Sequence, residues 1–273
     1  MRVTVLGSGS AGNAILVEST QTRLLVDAGF SGRDLERRLA EVEIPADSIS
    51  ALLVTHDHSD HTRGMGILAR RFGIPLLLTE PTRAACAKLL NGTEEVRLYG
   101  STEAFEVGDL RVNPFLTVHD AVDPVAVTVT ETATGEKLGI ATDLGRPTTP
   151  VRHELQGCDL LVLEANYDEI LLRESPYPWS VKTRIASSRG HLSNRASAEL
   201  VAELAHPWLA GVVLAHLSEN ANDPLLAEDT VGGALERLRF RGELHLGRQH
   251  RSIEPIDVGR LRARLQPPQL SLL

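Results

Sequence analysis

Six consecutive residues, HDHSDH at positions 56–61, constrain this chain more than any other feature. They place three imidazoles and two carboxylates in one short stretch. An apolar run at 51–55 precedes them and predicts a buried strand, and residues 62–72 predict a helix. Loops between a strand and a helix carry the chemistry of many α/β folds, because the rigid elements position them. Imidazole and carboxylate together suit divalent cations, and this spacing offers enough donors for two.

Three further donors follow apolar runs elsewhere in the chain. His119, His216 and Asp143 each come directly after a predicted strand. Strands that point the same way end at one edge of a sheet, so donors that are distant in sequence can meet there. Taken singly, each histidine is more often a packed or surface residue than a ligand, and Asp143 could be an ordinary turn aspartate. The repeated strand-end position favours one metal centre.

The donors divide into two predicted sets. The first cation is expected on His56, His58 and His119, and the second on Asp60, His61 and His216. Asp143 has two oxygens and could bridge both cations. Metal ions about 3.5–4 Å apart can share one hydroxide that acts as nucleophile. Asp27, which ends another apolar run, is the predicted partner that orients a ligand imidazole.

The apolar pattern predicts an α/β protein with large mixed sheets and outer helices. Candidate strands cover 2–6, 14–18, 23–27, 51–55, 75–79, 110–116, 125–131, 137–142, 160–164 and 211–215. Candidate helices cover 33–39, 62–72, 81–90, 194–205 and 229–238. We expect a single domain over residues 1–262 and a C-terminal tail over 263–273.

Composition narrows the class of protein. A chain of 273 residues with 42% hydrophobic residues can bury one large core. It has no membrane-spanning run and no signal peptide, which predicts a cytoplasmic protein without a membrane partner. Cys86 and Cys158 lie far apart and predict no disulfide. The net charge of −8 argues against a polyanionic partner, but two bound divalent cations would reduce it to −4.

A glycine-rich segment at 7–12, GSGSAG, fits the dinucleotide-binding pattern G-x-G-x-x-G. That pattern should open a helix, whereas the residues that follow are β-like. We therefore predict a hairpin. Ser10 and Asn13 could still offer donors to a bound anion, which makes them candidate substrate-binding residues. A plain turn is an equally good interpretation.

At this point the motifs resemble a known family. THDHSDH at 55–61 resembles the signature of the metallo-β-lactamase fold hydrolases, and LLVDAG at 24–29 resembles their first motif. The order His119, Asp143, His216 resembles the later ligand motifs of the phosphodiesterase and nuclease branches. The resemblance implies a four-layer αβ/βα sandwich of two mixed β-sheets flanked by helices. It also implies two divalent metal ions, Zn²⁺ or Mn²⁺.

More narrowly, the chain resembles the YycJ (VicX, WalJ) subfamily. The resemblance is carried by GSGSAGN at 7–13, VHDAVDP at 118–124, GHLSN at 190–194 and LAHLSEN at 214–220. It implies a 5′→3′ exonuclease acting on DNA. Tyr167 departs from the pattern, since relatives usually carry histidine there. By resemblance to the tRNase Z layout, His191 is the expected general acid, although a capping or packing histidine would fit the same position.

The predicted function is a dinuclear metal phosphodiesterase in which His191 and Asp60 are catalytic. The stretch 177–184, YPWSVKTR, interleaves aromatic and basic residues, and Lys182 and Arg184 are candidate contacts to nucleic acid. An ordinary helix with Trp179 in the core is an equally weighted alternative. A hydrolase of small phosphodiesters, thioesters or lactams, an RNA-processing nuclease, and a non-enzymatic nucleic-acid-binding module are the alternative functions.

Overall fold

The computed structural model describes residues 1–265, and its strands form two seven-stranded sheets. The strands are β1 (Arg2–Gly7), β2 (Ala14–Glu18), β3 (Arg23–Val26), β4 (Ala51–Leu53), β5 (Leu76–Leu78), β6 (Val96–Leu98), β7 (Phe105–Val107), β8 (Leu110–Leu116), β9 (Val125–Glu131), β10 (Lys137–Ala141), β11 (Leu160–Glu164), β12 (Gly211–Ala215), β13 (Glu243–Leu246) and β14 (Ile256–Asp257). The first sheet has the order β14-β1-β2-β3-β4-β5-β6, and the second has the order β13-β12-β11-β10-β9-β8-β7.

Helices connect many of the strands. They are α1 (Gly32–Glu41), α2 (Ser59–Thr62), α3 (Met65–Phe72), α4 (Glu80–Ala85), α5 (Thr149–Leu155), α6 (Glu169–Glu174), α7 (Trp179–Ile185), α8 (Asn194–Leu204), α9 (Pro224–Arg237) and α10 (Val258–Leu265). Short 3₁₀ turns cover Ala46–Ser48 and Ala87–Leu89. Among residues 1–265, no helix has both the length and the apolarity needed to cross a membrane.

Alternation along the strands produces the layers, because successive side chains point to opposite faces. In β1, Val3 and Val5 pack between the two sheets, whereas Leu6 packs against α1 and α3. In β11, Leu160 and Val162 face the first sheet, and the intervening Leu161 faces the outer helices α5, α8 and α9. Both faces are therefore apolar, as in sheets that are covered on each side. The predicted four-layer sandwich is confirmed.

Strand direction explains where the functional residues gather. In the first sheet β3, β4, β5 and β6 are parallel neighbours, and in the second β10, β11, β12 and β13 are parallel neighbours. Two successive antiparallel pairings, through β9, make β8 point the same way as β10. The carboxyl ends of β8, β10, β11 and β12 consequently share one edge.

All ten predicted strands exist, and five of them, β2, β8, β9, β11 and β12, have the predicted bounds. The 62–72 helix prediction was wrong in one respect, since α2 and α3 are separate and α2 begins within the HDHSDH run. The short strands β6, β7, β13 and β14 were missed, as were α5, α6, α7 and α10. Helix α10 crosses the expected domain boundary at 262, and its Leu265 packs in the core. The rest of the expected tail lies outside the described residues.

Candidate metal centre

The HDHSDH loop is held against the first sheet by backbone hydrogen bonds. Ala28 N–H donates to the carbonyl of His61, and Asn13 N–H donates to that of Asp60, both at 2.8 Å. A Cβ on Gly29 would lie 1.6 Å from the Asp60 carbonyl oxygen, so only glycine allows this approach. The predicted hairpin at 7–13 is confirmed by the antiparallel pairing of β1 with β2.

Three candidate residues stand directly after strands in the left-handed region of backbone conformation. The φ angles are 65° at Asp27, 57° at Asp143 and 56° at His216. Non-glycine residues adopt this conformation rarely and at a cost, and they do so mainly at functional positions. The sharp turns leave all three side chains buried at the shared edge of the sheets.

The first predicted donor set does converge. His56, His58 and His119 each offer a ring nitrogen, and these atoms lie within 4.8 Å of one another. His119 Nε2 is 3.2 Å from His58 Nδ1. We call these three residues the imidazole group.

The second predicted set converges beside it. Asp60, His61 and His216 offer atoms within 4.8 Å of one another. Asp60 Oδ2 lies 3.2 Å from His216 Nε2 and 3.5 Å from His61 Nε2. We call these three residues the carboxylate group.

Asp143 contacts both groups. Its Oδ1 lies 3.6 Å from His119 Nε2 in the imidazole group and 3.5 Å from His216 Nε2 in the carboxylate group. Its Oδ2 lies 3.2 Å from His61 Nε2. This placement is the one that a bridging carboxylate would need.

Two buried atoms indicate that the donors fit cations. His56 Nε2 has no hydrogen-bond partner among residues 1–265, and Asp143 Oδ2, although 3.2 Å from His61 Nε2, has no partner there with hydrogen-bonding geometry. A buried polar atom without a partner costs about 1–3 kcal/mol. Two divalent cations would satisfy both atoms, and imidazole with carboxylate is a donor set that Zn²⁺ and Mn²⁺ accept.

Charge is distributed unevenly across the centre. Burial and the neighbouring His61 hold the pKa of His56 well below its ordinary value, so this imidazole is neutral. Burial also opposes protonation of His216, but the carboxylates of Asp143 and Asp60 outweigh it and raise the pKa of His216 to about 10. The pKa of His61 is raised for the same reason, by Asp143, Asp27 and Asp60 against burial.

The remote nitrogen of four of the five donor histidines has its own partner. Thr55 Oγ1 lies 3.0 Å from His56 Nδ1, and the Gly190 carbonyl lies 2.9 Å from His119 Nδ1. Asp27 Oδ2 lies 2.7 Å from His61 Nδ1, where the sequence placed a supporting carboxylate. Asn166 Nδ2 and Glu164 Oε1 lie 3.0 Å and 3.5 Å from His216 Nδ1. Such partners fix the orientation of metal-binding imidazoles.

The His191 ring lies close to both groups. Its ring centroid is 5.1 Å from that of His119 and 5.2 Å from that of His216. Its Nδ1 lies 2.6 Å from Glu164 Oε1, and its side chain is 18% exposed. Glu164 is fully buried and accepts further hydrogen bonds from Leu144 N–H and Leu192 N–H.

Asp143, Glu164, His191 and His216 form another set of donors close enough to hold an ion. Here the Glu164 oxygens and His191 Nδ1 already bond to each other or to backbone N–H groups. His56 Nε2 has no such partner among the described residues. The chemistry of the donors therefore favours the imidazole and carboxylate groups as the cation sites.

Comparison with known proteins agrees with this geometry. Residues 22–217 match the family described as Beta-lactamase superfamily domain. The chain is 34% identical over 242 residues to exodeoxyribonuclease YycJ of Bacillus anthracis, which covers 88% of this chain and 91% of that protein. It is also 34% identical over 236 residues to exodeoxyribonuclease WalJ of Streptococcus pneumoniae, which covers 84% of this chain and 86% of that protein. The chain belongs to the metallo-β-lactamase superfamily.

Within the superfamily it groups with YycJ and WalJ, as the motifs predicted. A solved structure supports the fold independently. The metallo-β-lactamase fold protein YhfI from Bacillus subtilis matches 93% of this chain and 99% of its own, with a TM-score of 0.70 and 19% sequence identity.

The predicted substrate contacts of this metallo-β-lactamase domain differ in their exposure to solvent. Ser10 is exposed beside the centre, but Asn13 is buried. The Asn13 amide donates to the Gly9 carbonyl at 3.1 Å and lies 3.3 Å from Asp60 Oδ2. Asn13 therefore supports the donor loop, and a contact between Asn13 and substrate stays a prediction.

The two basic candidates also differ. Lys182 Nζ donates one hydrogen bond to the Arg173 carbonyl at 2.6 Å, and the remaining donors of the ammonium leave its contact with substrate a prediction. Arg184 is 61% exposed and forms an ion pair with Asp120 at the rim of the centre. It remains available for a predicted substrate contact.

Two acidic residues of this metallo-β-lactamase centre received no role from the sequence. Glu164 ends β11, and its position after an apolar strand was the only signal for it. Asp120 follows His119 directly, and its Oδ1 is buried 3.4 Å from His119 Nε2. Both residues act through contacts between side chains of different segments at the sheet edge, which the sequence does not show.

Proposed function

We propose that this protein is a metal-dependent exonuclease that degrades DNA in the 5′→3′ direction. The observation that carries the proposal is the pair of adjoining donor groups in contact with one shared carboxylate, Asp143. The named activities of YycJ and WalJ, at 34% identity over most of both chains, support DNA as the substrate.

The residues that would hold the cations follow from the geometry. The imidazole group would hold one ion, the carboxylate group would hold the other, and Asp143 would contact both. When bound, divalent cations lower the pKa of water and stabilise negative charge on a phosphate. Zn²⁺ and Mn²⁺ are the ions that we propose.

His191 has the position of a general acid. Glu164 engages its Nδ1, which leaves Nε2 as the nitrogen that can transfer a proton. As the bond between phosphorus and the leaving oxygen breaks, His191 Nε2 would give that oxygen its proton. A positioned acid of this kind contributes roughly 10²–10⁴-fold to the rate.

The surroundings favour a nucleic-acid substrate. Segment 173–195 carries five arginine or lysine residues and one glutamate, a net charge of +4 in a chain whose total is −8. It contains both His191 and Arg184. Arg184 and Arg195 pair with carboxylates, whereas Arg173 and Arg189 have no acidic partner among the described residues and leave positive charge near the centre. Phosphate backbones are attracted to such local charge, whereas a small neutral lactam is not.

A DNA substrate places the proposed activity in the cytoplasm. Both cysteines, Cys86 and Cys158, are buried free thiols. Unpaired cysteines are in keeping with a reducing compartment.

The test compares Asp60→Ala with Asp229→Ala. Asp60 belongs to the carboxylate group, whereas Asp229 is an exposed residue of α9. Digestion of 5′-labelled and 3′-labelled DNA with Mn²⁺ or Zn²⁺ should release the 5′ label first from wild type and from Asp229→Ala. We expect no metal-dependent release from Asp60→Ala. Full activity of that variant, or turnover of only thioesters or lactams by wild type, would contradict the proposal.

A further inference from the structure

Trp179 lies outside the core. Its side chain is 77% exposed, although it is the first residue of α7 and one of only two tryptophans in the chain. The same helix packs Ile185 against a small cluster around Tyr167, so α7 has an inward face that Trp179 does not share. The alternative in which Trp179 is a core residue is wrong.

The segment that carries Trp179 is attached to the metal centre. The Gly190 carbonyl lies 2.9 Å from His119 Nδ1, and His191 N–H donates to the Ile185 carbonyl at 2.9 Å. Arg184 pairs with Asp120, the residue next to His119. A Cβ on Gly190 would lie 2.2 Å from the carbonyl oxygens of Arg184 and Ile185, which shows how tightly the segment folds back.

The backbone immediately before Trp179 is conformationally restricted. Pro176 and Pro178 flank Tyr177 immediately before the helix, and proline fixes φ. Tyr177 is further held where its hydroxyl accepts a hydrogen bond from Asn220 Nδ2 at 3.1 Å. An exposed indole on such a backbone loses little conformational freedom when a flat partner stacks on it.

We propose that Trp179 is a stacking platform for unpaired bases of the DNA strand that enters the metal centre. This inference rests on the proposed nuclease function and names its substrate form, a single-stranded end. The net charge of +4 on segment 173–195 matches the phosphates of such a strand. Base–aromatic stacking is tolerant of sequence, because every base has a π-face.

The length of α7 between Trp179 and Arg184 suits a single DNA strand. Arg184 lies five positions after Trp179, which corresponds to about 7.5 Å along the helix axis. That is about two stacked nucleotides at 3.4 Å each. Trp179 would therefore hold bases a few nucleotides from the reacting phosphate, and it can stack only on bases that are free of a complementary strand.

The kinetic test compares Trp179→Ala with Trp208→Ala. Trp208 is 53% exposed but precedes β12, at the edge of the sheet opposite the donors. We expect Trp179→Ala to raise KM for single-stranded oligo(dT) by roughly 5- to 150-fold, the effect of losing one stacked base. Trp208→Ala should have the KM of wild type, and the KM of Trp179→Phe should lie close to it. On blunt duplex DNA, Trp179→Ala should raise KM by a smaller factor.

Hydrolysis of bis(4-nitrophenyl) phosphate monitors the metal centre in each variant, because this ester has no nucleotides on either side of its phosphate. If Trp179→Ala loses equal activity on the ester and on oligo(dT), the residue is structural and the platform is overturned. If wild type degrades DNA and Trp179→Ala has the same KM for oligo(dT) as wild type, the platform is overturned while the nuclease function stands.

Fluorescence tests binding separately from cleavage. In Trp208→Phe holoenzyme the remaining indole is Trp179, and phosphorothioate oligo(dT) should quench it. In Trp179→Phe holoenzyme the same oligonucleotide should leave Trp208 unquenched. Equal quenching in both variants would contradict the proposal. So would sedimentation showing that wild type is a dimer and Trp179→Ala a monomer, because the occupant would then be a second copy of the chain.

Discussion

The imidazole group and the carboxylate group share one loop but differ in charge. The imidazole group contains three histidines, and the nearby carboxylate of Asp120 is offset by Arg184. The carboxylate group includes Asp60, and the remote nitrogens of its histidines face Asp27 and Glu164. Carboxylate partners make an imidazole a stronger base, so they strengthen its hold on a cation and on a proton alike.

The loop at 56–61 contributes donors to two cation sites that differ in their protonation. His56 is neutral and can accept a cation without losing a proton. His216, with a pKa of about 10, must first release one. The imidazole group is thus ready to bind across the neutral range, whereas binding to the carboxylate group is coupled to pH.

The largest effect is expected where the two groups meet. Asp143→Asn removes the charge that both groups share, so we expect both cations to be lost. Hydrolysis of DNA should fall by more than roughly 10⁴-fold, because no cation is left to lower the pKa of water to about 7. Metal content and turnover would be measured together, with Asp229→Asn as control. Two ions per chain with near-normal turnover would show that the groups are independent.

His191→Asn should separate chemistry from metal binding. His191 Nδ1 lies 3.7 Å from Asp143 Oδ1, but Glu164 engages this nitrogen and the ring belongs to neither group, so we expect both ions to stay bound. The turnover number should fall by roughly 10²–10⁴-fold, since the proposed proton donor is gone. A substrate with a leaving group that needs no proton, such as 4-nitrophenolate, should lose much less. Loss of an ion in this variant would instead make His191 a ligand.

Asp27→Asn should distinguish the two groups. Asp27 Oδ2 contacts His61 of the carboxylate group directly, whereas it reaches His56 of the imidazole group only through the Thr55 hydroxyl. We expect the affinity for one cation to fall by roughly 10–100-fold and the other to stay unchanged. Titration with a competing chelator would resolve the two affinities. Equal weakening of both would contradict the assignment of Asp27 to one group.

Much of this centre was predictable from the sequence because it obeys a local rule. A donor placed after an apolar strand lies at the edge of a sheet, and that rule found His119, Asp143, His216 and the partner Asp27. Strand interiors were equally visible, since β2 and β11 are apolar runs and β8 alternates apolar with polar residues. The missed strands β6, β7, β13 and β14 have two to four residues and mix polar with apolar side chains, whereas β4 and β5 are equally short but wholly apolar.

Contacts between distant segments could not be predicted. Asn13 and Ser10 look alike in the glycine-rich hairpin, yet one is buried under Asp60 and the other is exposed. Lys182 and Trp179 stand in one basic and aromatic stretch, but their environments are set by where α7 docks. Periodicity reports the faces of an element, whereas docking depends on the shape of all the elements around it.

The smallest expected effect concerns pH. Asp143 and Asp60 raise the pKa of His216 to about 10, so in the cation-free protein this ring carries a proton throughout the neutral range. A cation entering the carboxylate group must displace it, and affinity should rise about tenfold per pH unit for each proton released. The pKa of His56 lies well below its ordinary value of 6.5, so affinity of the imidazole group should be nearly flat above about pH 7. Chelator competition for Zn²⁺ at several pH values, with proton release followed in buffers of different ionisation enthalpy, would measure both slopes. If the two slopes were equal, the charge difference between the groups would have no effect on binding.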